Sequence, residues 1–108
     1  MMGLTEADAK ALVNEGVLSA DYDEHEEAIE FYDKALKIIE TSETYLNKGI
    51  SLVELEKYDD ALLSYEKAIE VSPGYADAWY NKAELLKHKG QDDEAEKCFA
   101  KVKELEIE

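Results

Sequence analysis

The chain has 108 residues, 45% hydrophobic and 36% charged, with 27 acidic against 12 basic side chains and a formal charge of −15. That length makes one domain, the apolar fraction excludes a disordered chain, and the acidic excess argues against nucleic-acid phosphates and anionic membrane surfaces as partners, since both call for Lys and Arg. A lone cysteine, Cys98, excludes an internal disulfide and predicts a reducing, cytoplasmic setting. No apolar run is long enough for a transmembrane helix, and Met1-Met2-Gly3-Leu4 lacks the basic-then-apolar order of a secretory signal.

In chain order, apolar residues at helical spacing predict six amphipathic helices. The first starts after Thr5, whose side chain caps it while Asp8 bonds back, and reaches a turn near Asp21-Tyr22-Asp23. The second runs over about 24–40. Ser42 is the expected cap of the third, on which Tyr45, Leu52 and Leu55 recur. Glu56-Lys57-Tyr58 is the next turn, and Ala61, Leu62, Tyr65, Ala68, Ile69 and Val71 mark the fourth helix. Pro73 prevents its continuation and Gly74 turns the chain. The fifth covers about 76–89 and stops at Gly90, which takes the left-handed conformation without a Cβ penalty. Lys87, His88 and Lys89 suit the negative end of that helix, and Asp92-Asp93-Glu94 suit the positive start of the sixth, over about 92–106. Asp23 and Glu56 stand where Gly90 stands, and Asp tolerates a left-handed backbone better than Glu.

The pieces repeat. A shift of 34 residues lays Tyr45-Leu46-Asn47-Lys48 on Trp79-Tyr80-Asn81-Lys82, Tyr65 on Phe99 and Lys67 on Lys101. A shift of 33 lays Asn14, Gly16, Ala28, Tyr32, Lys34 and Ala35 on Asn47, Gly49, Ala61, Tyr65, Lys67 and Ala68. Such a period means stacked supersecondary units, and stacked units make a surface for binding rather than a catalytic pocket.

The repeated residues resemble the tetratricopeptide repeat (TPR), a helix-turn-helix unit with an early aromatic, a small residue four places on and an Ala-x3-aromatic-x2-Ala pattern in its second helix. Here the aromatic is Tyr45 and Trp79, with Leu12 in the first unit; the small residue is Gly16, Gly49 and Ala83. The second-helix pattern reads Ala28, Tyr32, Ala35, then Ala61, Tyr65, Ala68, then Ala95, Phe99, Val102, and Pro73 matches the proline between units. The small residues allow two helices of one hairpin to approach closely, and Tyr32, Tyr65 and Phe99 are expected to fill the space between neighbouring hairpins. Glu15, Lys48 and Lys82 depart from the family's leucine before the small residue, which predicts less apolar packing there. The resemblance implies an all-α fold of three stacked hairpins in a short right-handed α-solenoid, one domain with repeats over about 9–41, 42–75 and 76–108.

It also implies a binding function. In such arrays the first helix of each hairpin lines a concave groove that holds an extended peptide or a partner helix. By that correspondence the groove takes Lys10, Val13, Asn14, Val17 and Asp21 from the first unit, Glu43, Leu46, Asn47, Ile50 and Glu54 from the second, and Asp77, Tyr80, Asn81, Glu84 and His88 from the third. Asn14, Asn47 and Asn81 form an equivalent row. Two roles are open to it: the amides satisfy the backbone of an extended peptide, or they bond their own neighbours. Apolar Val13, Val17, Leu46, Ile50 and Tyr80 beside acidic Glu43, Glu54, Asp77 and Glu84 favour a protein or peptide partner that is apolar with Lys or Arg flanks. The clamp by which some TPRs grip EEVD-type chaperone tails uses basic residues whose places here hold Val13, Asp77 and Asn81; only Asn47 fits, so such tails are not expected to bind.

A rival function is self-association. With no helix expected after Glu108, Leu85, Val102, Leu105 and Ile107 are expected to leave an uncovered apolar face on the last hairpin, able to pair with a second copy or to continue a longer array. Signs of chemistry are weak. His25 sits among Glu24, Glu26 and Glu27 in what reads as a solvated acidic turn, without the Cys/His set of a metal site. Cys98 reads as a small packed thiol. The acidic clusters open helices and lack calcium-loop spacing. No enzyme activity, metal or cofactor is expected.

Overall fold

The computed structural model describes residues 3–107. Within them lie six helices and no strand: α1 (Glu6–Asp21), α2 (His25–Ile38), α3 (Ser42–Glu54), α4 (Tyr58–Val71), α5 (Ala76–His88) and α6 (Asp92–Ile107). Each helix packs on its chain neighbours, so α1–α2, α3–α4 and α5–α6 form three hairpins stacked in order, with α1 also touching α3. The stack measures 50 × 31 × 19 Å. This is the all-α hairpin stack expected from the repeat.

The three hairpin turns are built alike. Asp23, Glu56 and Gly90 hold φ of 61°, 60° and 81°. At each, the next N–H reaches back five residues, Glu24 to the Ser19 carbonyl, Lys57 to Leu52 and Gln91 to Leu86, all at 2.8–2.9 Å. The N–H of the left-handed residue itself closes on Ala20, Val53 or Lys87. This is the Schellman closure, which satisfies the carbonyls left over at a helix end.

Helix starts follow the expected chemistry with one shift. The Thr5 side chain accepts from the Asp8 N–H while the Thr5 N–H donates to Asp8 Oδ2 at 2.7 Å, a complete capping box. At α3 the cap is Thr41, whose Oγ1 accepts from the Thr44 N–H at 3.2 Å; Ser42, the expected cap, is already helical and buried. The chain turns sooner because α2 stops at Ile38 rather than near residue 40: Ile39 is extended, with φ −153° and ψ 137°. The repeat-equivalent aromatics Tyr45 and Trp79 tie down both junctions. The Tyr45 hydroxyl donates to Glu40, and the Trp79 ring N–H donates to the Pro73 carbonyl at 2.8 Å.

Small residues do work inside each hairpin. A Cβ placed on Gly16 would lie 2.5 Å from the ring of Tyr32, and one on Gly49 would lie 2.5 Å from the ring of Tyr65. Tyr32 and Tyr65 therefore fill space within their own hairpins, not only between hairpins as expected. One core cluster joins Leu46, Leu52, Ala61, Tyr65 and Leu85 across the second and third hairpins; another joins Ala83, Leu86, Ala95 and Cys98 within the third. Burial pushes the Cys98 thiol up, away from thiolate chemistry.

Candidate functional site

The leading helices α1, α3 and α5 carry the expected groove residues, and two clefts open between them. The first, of 310 Å³, lies between α3 and α5. Ile50, Val53 and Glu54 form one wall, Asn81, Glu84, Leu85 and His88 the other, and Tyr58 and Tyr65 of α4 close it. The Tyr58 ring leans on His88 with centroids 4.9 Å apart and planes tilted by 55°. Two carboxylates and no Lys or Arg line this cleft. Tyr65 is only 2% exposed, and its hydroxyl is pushed up to about 12, first by burial and then by the charge of Glu54.

The second cleft, of 500 Å³, lies between the first turns of α1 and α3. Ala7, Ala9, Val13, Ala35 and Ile39 make it largely apolar, Asn14 joins the lining, and Glu6, Lys10 and Glu43 add charged groups. A third cleft, also of 500 Å³, is framed by α2, α3 and α4 and lined by Ile29, Leu52 and Leu63 among others.

The expected site residues divide as follows. Ile50, Glu54, Asn81 and Glu84 meet in the α3–α5 cleft, and Val13 and Asn14 meet in the α1–α3 cleft. Val17 and Tyr80 are exposed, Tyr80 packing edge-on against Phe99 with centroids 5.8 Å apart. Asn47 is half-buried on α3 and lines neither cleft. Leu46 is a correction: it is 6% exposed and belongs to the core cluster around Tyr65, so it offers no open apolar contact. The amide row is not one uniform ladder either, since Asn81 Nδ2 donates to the Asp77 carbonyl one turn back at 2.8 Å.

The self-association set is corrected in the same way. Leu85 and Val102 are 4% and 8% exposed, covered within the third hairpin and by its contact with the second. Leu105 is half-buried and only Ile107 is open. The free face of α6 is instead charged, with Glu96, Lys97, Lys103, Glu104 and Glu106 exposed.

Sequence reasoning missed two other features. His25 is no solvated turn residue: its side chain is largely covered, and Nδ1 lies 3.2 Å from the hydroxyl of buried Ser51. His25 and Ser51 occupy, one repeat earlier, the places of Tyr58 and Leu85, so the equivalent position between the first two hairpins is held by a polar bond. The lysines before the small residues also have a role. Lys48 reaches back to Asp33 at 2.7 Å and Lys82 to Glu66 at 3.4 Å, each an ion pair across a hairpin boundary. The shared phase of Lys48 with Lys82, and of Asp33 with Glu66, was the available signal. Among the described residues no group of His, Cys, Asp and Glu is placed to hold a metal ion, and no helix is long and apolar enough to cross a membrane.

Comparison with known proteins agrees with this geometry. Two tetratricopeptide-repeat family models match, one over residues 52–106 and the other over residues 9–41. Comparison with the curated proteins finds no match. Among solved structures, a crystal structure of MamA superposes with a TM-score of 0.88 at 28% identity, covering 96% of this chain and 61% of that one. The chain thus spans about three-fifths of the MamA chain it matches. The first TPR of Spaghetti (RPAP3), bound to the HSP90 peptide SRMEEVD, gives a TM-score of 0.91 at 21% identity, with 96% of this chain and 85% of that one covered. The second TPR of Spaghetti, bound to the same peptide, gives 0.87 at 21%, with 93% and 94% covered. With three hairpins in phase, their turns closed identically and family models matching most of its length, the chain belongs to the tetratricopeptide-repeat family.

Proposed function

We propose that this protein is an interaction scaffold, one TPR domain of three repeats over about 9–41, 42–75 and 76–108, that holds an extended peptide or a partner helix across α1, α3 and α5. The observation that carries the reading is the pair of clefts between those helices, apolar at one end and acidic with aromatic walls at the other. An apolar segment with Lys or Arg flanks complements both. Selection from a displayed peptide library, followed by amide-shift mapping, tests it. Selected peptides are expected to shift resonances on α1, α3 and α5 and to weaken with Asn14→Ala and Asn81→Ala, one in each cleft; peptides that shift only α2, α4 and α6 would overturn the reading.

The two Spaghetti domains share the fold and bind SRMEEVD, but at 21% identity the likeness carries no partner chemistry. This chain's own residues speak against that ligand. A C-terminal carboxylate would meet Val13, Asp77 and Asn81 at the clamp's basic places and would add charge to a chain already at −15. Calorimetric titration with SRMEEVD is expected to show no saturable binding, and a low-micromolar affinity would defeat the argument.

A further inference from the structure

We infer that the cleft between α3 and α5 receives a single lysine or arginine side chain, and that a bound peptide places an apolar side chain about five residues away in the α1–α3 cleft. The inference deepens the groove reading, and its peptide spacing rests on it. Glu54 on α3 and Glu84 on α5 face the same opening, and apart from the imidazole of His88 no basic side chain, neither Lys nor Arg, lines it. Neither carboxylate takes part in an ion pair among the described residues, although Asp33, Asp59 and Glu66, on the second helices, all do. The positive charge of this region is thus spent on hairpin boundaries, and the opening is left with two uncompensated anions.

The second observation is Tyr65. Its side chain is 98% covered, by the complement of its 2% exposure, yet it lines the cleft and its hydroxyl has no hydrogen-bond partner among the described residues. No fully sealed side-chain polar atom there lacks a partner, so this hydroxyl faces the opening rather than the core. It is an acceptor for an N–H that the protein itself does not supply. A guanidinium or ammonium carries such donors together with the charge. Tyr58 lines the same opening, with its ring leaning on His88. A volume of 310 Å³ admits one long side chain, not a folded element.

The spacing follows from helix dimensions. The apolar cleft touches α3 at Glu43 and Thr44, the acidic one at Ile50, Val53 and Glu54, roughly 13 Å further along the axis at 1.5 Å per residue. Crossing α3 adds about 9 Å sideways. The diagonal of about 16 Å is spanned by about five extended residues.

The test uses Nα-acetylated argininamide and lysinamide and the neutral isostere Nα-acetylcitrullinamide (argininamide, lysinamide and citrullinamide below), so that the side chain is the only possible charge, titrated into isotopically labelled protein. Saturable shifts at Ile50, Glu54, Tyr58 and Glu84 are expected with one or both cations and not with citrullinamide, and the better cation names the side chain. The double variant Glu54→Gln/Glu84→Gln, at exposed positions that leave the fold intact, is expected to weaken the cation about tenfold, roughly threefold for each carboxylate. Equal shifts with citrullinamide, or cation shifts that survive the double variant, would overturn the inference. Library peptides that map elsewhere while argininamide still enters the cleft would sink the groove reading and the spacing, leaving the cation site standing.

Discussion

Glu56 holds a left-handed backbone, φ 60°, with an exposed side chain; its backbone closes the Schellman turn, a bond that glycine would keep. The left-handed region costs an L-residue about 1–2 kcal/mol, whereas glycine at the same place loses about 0.5–1 kcal/mol through its freer unfolded chain. The difference favours glycine, so Glu56→Gly is expected to raise stability by about 0.5–1 kcal/mol and the melting temperature by about 2–4 °C. Asp23→Gly gains less, because Asp enters this region more readily. Thermal melts followed by circular dichroism decide it; a lower melting temperature for Glu56→Gly would show that the glutamate side chain contributes in the native state. Gly90 advertised its conformation by composition alone. Glu56 was legible only through the repeat phase, since glutamate does not signal φ above zero, and Asp23 mainly so, since aspartate signals it only weakly. The same phase located the small residues, while the 2.5 Å approach of Tyr32 and Tyr65 that makes glycine necessary at two of them follows only from how each hairpin closes in space.

Between elements, the hairpins are joined by charge as well as by apolar packing. The Lys48–Asp33 and Lys82–Glu66 pairs stand in equivalent places, and Lys82 also lies 5.9 Å from the Trp79 ring centre. All four side chains are partly open to solvent, so each pair is worth at most about 1 kcal/mol. A double-mutant cycle with Lys48→Met and Asp33→Asn is expected to give a coupling of about 0.5 kcal/mol at low salt that shrinks as salt is added. Lys48→Ala should cost more than Lys48→Met, because the lysine stem covers apolar surface as it crosses the boundary. Zero coupling in urea melts would reduce the pair to a geometric coincidence. Helix existence, order and most ends were readable from period and caps. What escaped were links whose partner lies in another hairpin: Lys48 looked like a lapse in apolar patterning, and His25 looked solvated, because Asp33 and Ser51 are distant in sequence. Leu46, Leu85 and Val102 were misplaced for a related reason. A helical period gives the face of a residue, but coverage of that face depends on the neighbouring hairpin.

Over the whole molecule, net charge opposes compactness. A charge of −15 sits on a body only 19 Å thick. At about 0.01 M salt the screening length of roughly 30 Å spans that thickness, so most carboxylates repel one another; near 1 M it falls to about 3 Å and only adjacent groups interact. The cross-boundary ion pairs respond in the opposite sense, but with about 1 kcal/mol at most in each they are outweighed by the acidic excess. Asp59, held below the usual carboxylate range by Lys89, is one of few anions with a direct cationic partner. Glu27 is pushed up by its hydrogen bond with Glu24, then by desolvation and by the charges of Glu24, Glu30 and Glu15. Raising sodium chloride from about 0.01 to 0.5 M is therefore expected to raise the melting temperature by at least about 4 °C, equivalent to roughly 1 kcal/mol for a domain of this size. The same screening weakens attraction between the Glu54–Glu84 cleft and a basic side chain. Stability and affinity for a cationic ligand must then move in opposite directions along one salt series, melting temperature rising while argininamide binding falls. A melting temperature that falls with salt would mean that the boundary ion pairs, not the excess of carboxylates, govern the electrostatics of the stack.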